Sequence, residues 1–343
     1  MSVPPQYPLA RQSAGVAPRR RPCSIRRTTS IDTTWPEGPG KPSRMEATAR
    51  DILTSSANAQ PRILDQAHYR MLVSTRREIL EIATTPAVPG IDRLVGVRAG
   101  GESRGRIAAI MGDRLGSPLY QILDDFAGAS LVAQWIWSQW LDDWDAHAKS
   151  MAEHNNHGRK GKMLDICTGF AAGASALGDD GGAAPSFHDQ ATVGPLENPD
   201  DPAGWHAMPA QSGPAMRRAR RIDLWREGDL LIVDAGFQDS GSVPSGGRRG
   251  VHEYRVYAEI DARTGVLLAL QALPLILPFP ECPGASVKAA RMVGKKVEDF
   301  HDTVLEVLPG TLGCTHLNDV LRGLADVPAL ARILDQPDAL EDR

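Results

Sequence analysis

The chain has 343 residues, of which 42% are hydrophobic, 23% charged and 5% aromatic, a globular composition that argues against collagen, coiled coil and wholesale disorder. Its 38 Lys and Arg against 42 Asp and Glu leave a net charge of −4, so no bulk electrostatic drive toward nucleic acid or an anionic membrane is expected. The longest apolar runs, such as 267–277, fall short of a bilayer span of ~20 residues, and with neither a secretory apolar stretch near the start nor a cysteine framework a reduced, cytoplasmic setting is expected.

Residues 1–23, with Pro4, Pro5, Pro8, Pro18 and arginines 19–21, read as a disordered basic arm. Residues 24–35 are rich in β-branched side chains and free of Gly and Pro, which predicts a strand. A polar loop leads to a second strand around 49–54, then to a hairpin over 69–83 that turns near 74–77. The same order returns later: a strand at 221–226, a Gly-Asp turn, a strand at 230–234, the alternating stretch 252–260, a turn at 261–265 and a return strand from 266. Both segments leave through proline, at Thr85-Pro86 and Leu273-Pro274. Both are followed by a one-faced helix, with apolar residues at 119, 122, 123 and 126 in the first and at 317, 320, 321 and 324 in the second. The pattern predicts an α+β fold of two tandem similar halves, 24–128 and 219–343, arising by internal duplication. The alternative is two unrelated α+β segments.

Between the halves, an insert over 129–218 opens with a helix carrying Trp135, Trp137, Trp140 and Trp144. At about 100° per residue, Trp137, Trp140 and Trp144 share one face. They form either a core stripe or the substrate-binding wall of a pocket. A Gly- and Pro-rich stretch and the arginine-rich run 217–221 close the insert.

Cys282 follows the last strand, and Cys314 and His316 stand where the final helix begins. A thiol at a helix start is biased toward thiolate, the form that attacks carbon or binds metal. Two cysteines and a histidine from separate junctions suit zinc or iron, although small buried structural thiols are commoner than ligands. His252 and Tyr254 alternate with Glu253, so they share a strand face and can serve as an acid/base pair or simply pack. Asp124, Asp125, Asp142 and Asp143 read as solvated helix carboxylates. Cys167 either approaches the thiol site or packs, and His147, His154 and His157 with Glu153 make a loose, weak cluster. No P-loop, no dinucleotide fingerprint and no GxSxG motif is present, so neither a nucleotide cofactor nor a serine nucleophile is expected.

The segments Ile25-Arg-Arg-Thr-Thr, Leu123-Asp-Asp, Val251-His-Glu-Tyr, Glu281-Cys-Pro-Gly-Ala and Gly313-Cys-Thr-His-Leu-Asn-Asp together resemble an uncharacterised bacterial family, a domain of unknown function. More distantly, the second half is similar to NifU/IscU-type iron–sulfur scaffolds and their SufU zinc-binding relatives. The likeness rests on a hairpin, Cys282-Pro-Gly-Ala, a helix holding Val293-Gly-Lys-Lys-Val297 and Gly313-Cys-Thr-His. It implies that Cys282 and Cys314 occupy ligand positions. The earlier ligand loop has no cysteine, and Asp239 is its only residue of ligand type. The first half carries Gly116 and Pro118 where Cys314 and His316 stand.

These readings lead to an enzyme of lyase or hydrolase type, acting on a small apolar or aromatic metabolite with metal assistance. Cys282, Cys314, His316 and Asp239 would hold zinc or iron; His252, Tyr254 and Cys314 would carry the chemistry. The competing reading is a non-catalytic iron–sulfur or zinc carrier. Oligomeric state is not encoded in any feature of the chain.

Overall fold

The computed structural model describes residues 11–56, 60–144, 146, 163–178 and 190–336. The histidines 147, 154 and 157 lie outside them.

Among the described residues, nine antiparallel strands form a single sheet. The first four, β1 (Ser24–Thr34), β2 (Ser43–Thr54), β3 (Arg62–Val73) and β4 (Ile79–Thr85), make a meander. So do β6 (Ala215–Glu227), β7 (Leu230–Ser242), β8 (Arg248–Asp261) and β9 (Leu267–Ile276). The short β5 (Ala191–Val193) and β9 both pair with the outer edge of β8. The meanders join through β1 and β6, giving the order β4-β3-β2-β1-β6-β7-β8.

That central seam is held by charge. Arg26 lies directly opposite Asp223, and Arg217 opposite Asp32. Arg26 Nη2 donates to Asp223 at 2.9 Å, and Arg217 donates to both Asp32 oxygens at 2.7 and 2.8 Å. Two further arginines, Arg27 and Arg218, are opposite Asp51 on β2 and Asp239 on β7. Charged pairs across antiparallel strands fix register as well as adding attraction.

One face of the sheet carries the helices: α1 (Gly101–Met111), α2 (Pro118–Val132), α3 (Trp137–Trp140), α4 (Gly284–Lys288), α5 (Phe300–Val307), α6 (Thr315–Arg322) and α7 (Val327–Leu334). None of the described helices is long and apolar enough to cross a membrane. The expected apolar faces are where the core lies. Leu119, Ile122, Leu123 and Phe126 pack under β1–β3, and Leu317, Val320, Leu321 and Leu324 under β6–β8.

Four expectations are corrected. Asp124 and Asp125 are buried, because α2 is covered on all sides and arginines reach both carboxylates. The helix expected to hold Val293-Gly-Lys-Lys-Val297 is broken: α4 runs into a short 3-10 turn, and Gly294 takes φ +85°, a conformation L side chains avoid, so the chain turns there instead of continuing a helix. The tryptophan segment is likewise interrupted: a 3-10 turn runs into the short helix Trp137–Trp140, which ends at an extended Leu141 before Trp144. Finally, the arm is laid against the sheet from residue 13 onward. Ala14 N–H and the Ser13 hydroxyl donate to Glu253, Ala17 is buried and bonded to Leu196, and Arg20 grips Asp201.

Candidate functional site

Strands β7 and β8 pair Asp239 directly with His252, just before a bulge that shifts their register. Helix α6 starts above them, and its first turn lowers His316 onto His252. The two imidazoles stack with centroids 3.5 Å apart and planes 18° from parallel. His252 Nδ1 stands 3.4 Å, and His316 Nε2 3.8 Å, from the same Asp239 oxygen, Oδ2. Neither nitrogen has a hydrogen-bond partner among the described residues. Three ligand-type atoms therefore lie within 4.8 Å of one another in a nearly closed interior.

Charge sets the protonation of this group. Burial alone would raise the Asp239 carboxyl, but the Arg218 guanidinium beside it outweighs burial and holds it well below the usual carboxylate range. Burial pushes His252 down despite Asp239. It pushes His316 well down, with His252 adding to the effect. Both rings are neutral, the state in which imidazole accepts a proton or binds a metal. Arg218 grips Asp239 with two bonds of 2.9 and 3.0 Å and reaches Asp319 at 2.9 Å. Gly128 of α2 makes room for this bridge: a Cβ there would sit 2.1 Å from both Arg218 Nη1 and Asp319 Oδ2.

Of the residues singled out from sequence, Asp239, His252 and His316 converge. Tyr254 shares the face of His252, as strand alternation requires, and its hydroxyl donates to Cys314 Sγ at 3.5 Å. Cys314 touches the far nitrogen of His316, Sγ to Nδ1 4.0 Å, and so stands behind that ring, away from Asp239. Cys282 is outside the converging set. It packs where Gly169 leaves space, with its Sγ 2.6 Å from where a Cβ would be and Cys167 Sγ at 3.9 Å. Cys314 precedes α6 as expected, yet burial outweighs the helix terminus and its thiol is raised, as is that of Cys282. Burial pushes Cys167 up to about 12. All three stay protonated at neutral pH, contrary to the thiolate expectation.

Trp137 is buried and meets Trp35 edge to face at 5.4 Å, in a cluster with Trp135, Ile136, Met216 and Val251. Trp140 and Trp144 pack on its margin, and Trp140 Nε1 donates to Ser242 O. A cavity of about 50 Å³ lies elsewhere, under arm residues 14–18. None of Trp137, Trp140 and Trp144 lines it.

Sequence reasoning missed Arg218, Asp319 and His206. The arginine run 217–221, expected to close the insert just ahead of the strand at 221–226, is the signal that was available for the first. His206 lies on the face opposite the helices, 2% exposed, between the Thr28 and Ser30 hydroxyls at 2.8 Å each. Burial first, then Arg50 and Arg217, lower it to about 3. The unfolded chain therefore takes up this proton first, near pH 6.5. The contribution of neutral His206 is complete above that pH and is lost as pH falls toward 3, by about 1.4 kcal/mol per pH unit. Urea titrations of the wild type and His206→Gln between pH 4.5 and pH 7.5 should show the shallower acid slope in the variant; parallel slopes would exclude His206 as the source.

No curated protein and no solved structure matches the chain, so the scaffold resemblance finds no support from either side. Residues 216–330, which run from β6 into α7 and contain Asp239, His252 and His316, match the model of a family described as "Protein of unknown function (DUF2889)".

Proposed function

We propose that the protein is a metal-assisted enzyme of hydrolase or lyase type acting on a small molecule, with Asp239, His252 and His316 as the metal-holding residues. The observation that carries this reading is the pair of buried, unpartnered imidazole nitrogens aimed at one carboxylate oxygen. Buried polar atoms without partners are uncommon. Two neutral nitrogens and a carboxylate make a donor set suited to zinc or ferrous iron. A metal there would supply Lewis-acid polarisation of a substrate oxygen. The chain's own groups orient and protonate: Tyr254, kept protonated by burial, directs its hydroxyl at Cys314, and Cys314 fixes the tilt of His316 from behind.

Protein purified without chelator is expected to carry about one equivalent of zinc or iron, lost in His316→Asn and retained in Cys282→Ala. Metal-free protein that zinc fails to stabilise against heat would overturn the reading. So would an unchanged metal content in His316→Asn with native circular dichroism.

A further inference from the structure

Strand β9 stands at a free edge of the sheet with the side chains of a covered strand. One side of it pairs with β8 from Leu267 to Ile276. The other side is closed only at its start, where Leu267 N–H donates to Lys295 O and Leu267 O accepts from Gly294 N–H. Among the described residues nothing hydrogen-bonds that side beyond this point. Yet every residue of β9 except Gln271 and Pro274 is apolar, and Leu268 is 46% exposed. Near-continuous apolar runs belong to strands covered on both faces, whereas natural sheet edges are guarded by charge. The opposite edge has such a guard, since β4 carries Glu81 along with Thr84 and Thr85. In β9 the protection is confined to the ends: a bulge at each end, and Pro274 with no N–H to offer, limit the pairable stretch to 268–273.

Within that stretch the strand is complementary to itself. Two identical strands that pair antiparallel about a two-fold axis place one residue opposite its own copy. With Gln271 on the axis, Ala269 meets Leu273 and Leu270 meets Ala272, so small stands against large and no charge meets its like. The free backbone groups would accept any extended peptide; the match of small to large about Gln271 singles out a second copy.

We infer that β9 is an interaction edge through which two copies of this chain join antiparallel over residues 268–273, with Gln271 at the two-fold axis, extending both sheets into one. The inference is independent of the metal reading. Read along the chain, the apolar run is unremarkable; it gains this meaning only because the fold leaves it at an edge. A contact of about six residues a side is small, so the dimer is concentration-dependent.

Sedimentation equilibrium of the full-length protein over a concentration series tests it. The wild type should approach twice the monomer mass as concentration rises. Gln271→Lys and Gln271→Glu each set like charges opposite one another across the axis, and each should weaken association at least about tenfold. The position is exposed, and unchanged melting temperatures will confirm that both variants fold. An equimolar mixture of the two should associate at least as tightly as the wild type, because Lys then faces Glu. A wild type still monomeric at about 100 µM would overturn the proposal. So would dimers that neither substitution weakens, or a mixture that associates no better than each variant alone.

Discussion

Arg27→Ala is expected to be among the most destabilising single substitutions in the chain. Arg27 is 1% exposed and serves two carboxylates at once: both Asp51 oxygens at 2.6 Å, and Asp326 Oδ2 at 2.6 Å. Its Nη2 also donates to Gly116 O at 2.9 Å. The pair ties β1 to β2 and ties both to the turn between α6 and α7. Removing one member of a buried ion pair typically costs about 3–5 kcal/mol, because the partner is left as a buried, uncompensated charge. Here two carboxylates are stranded, against a total stability of roughly 5–15 kcal/mol for a domain. The physical content lies in the asymmetry, since attraction lost is smaller than desolvation left unmatched. Adding Asp51→Asn and Asp326→Asn to Arg27→Met should therefore recover much of the loss. Urea midpoints decide the matter: a single substitution costing under 1 kcal/mol, or a triple variant no better than the single, would show that the charge is not what these residues contribute.

Much of the secondary structure was open to inspection in the sequence. Residues 252–260 alternate, so His252 and Tyr254 could be placed on one face by period alone, and they share it. The apolar positions of α2 and α6 follow a spacing that only one arrangement buries. What could not be read is what lies between these elements. Asp239 and His316 are 77 positions apart in the chain, and only the descent of α6 onto β7 and β8 brings them together. Arg26 and Asp223 face each other because β1 pairs with β6, a pairing no local pattern announces. The arginine run 217–221 was expected only to close the insert, yet its place on β6 buries it and makes it part of the sheet's structural seam. The thiolate expectation failed for a related reason. A helix terminus offers a fraction of a charge, whereas complete burial of Cys314 penalises a full one. The arm was misread because Pro- and Arg-rich composition signals poor core-forming capacity, while its anchoring depends on a few backbone and side-chain bonds to Glu253 and Asp201.

The second large effect is expected at Arg218, where stability and metal binding should move in opposite directions. Arg218→Met keeps the bulk of the side chain over Phe237, whose ring the guanidinium faces at 4.9 Å, but strands Asp239. Asp319 retains Arg104. Asp239 retains only two neutral imidazoles, since His252 and His316 are held uncharged by burial. A loss of about 3–5 kcal/mol is expected without metal. A cation placed among Asp239, His252 and His316 would restore the missing positive charge, and it would no longer compete with a guanidinium for the same two oxygens. Saturating zinc at about a hundred times its dissociation constant stabilises by about 2.7 kcal/mol, and tighter binding by the variant should make its zinc-induced rise in melting temperature larger than that of the wild type. An Arg218→Met protein as stable as the wild type would remove this arginine from the list of structural supports. A zinc response equal to or smaller than that of the wild type would show that guanidinium and metal do not contend for Asp239, and the placement of the metal on that carboxylate would fail with it.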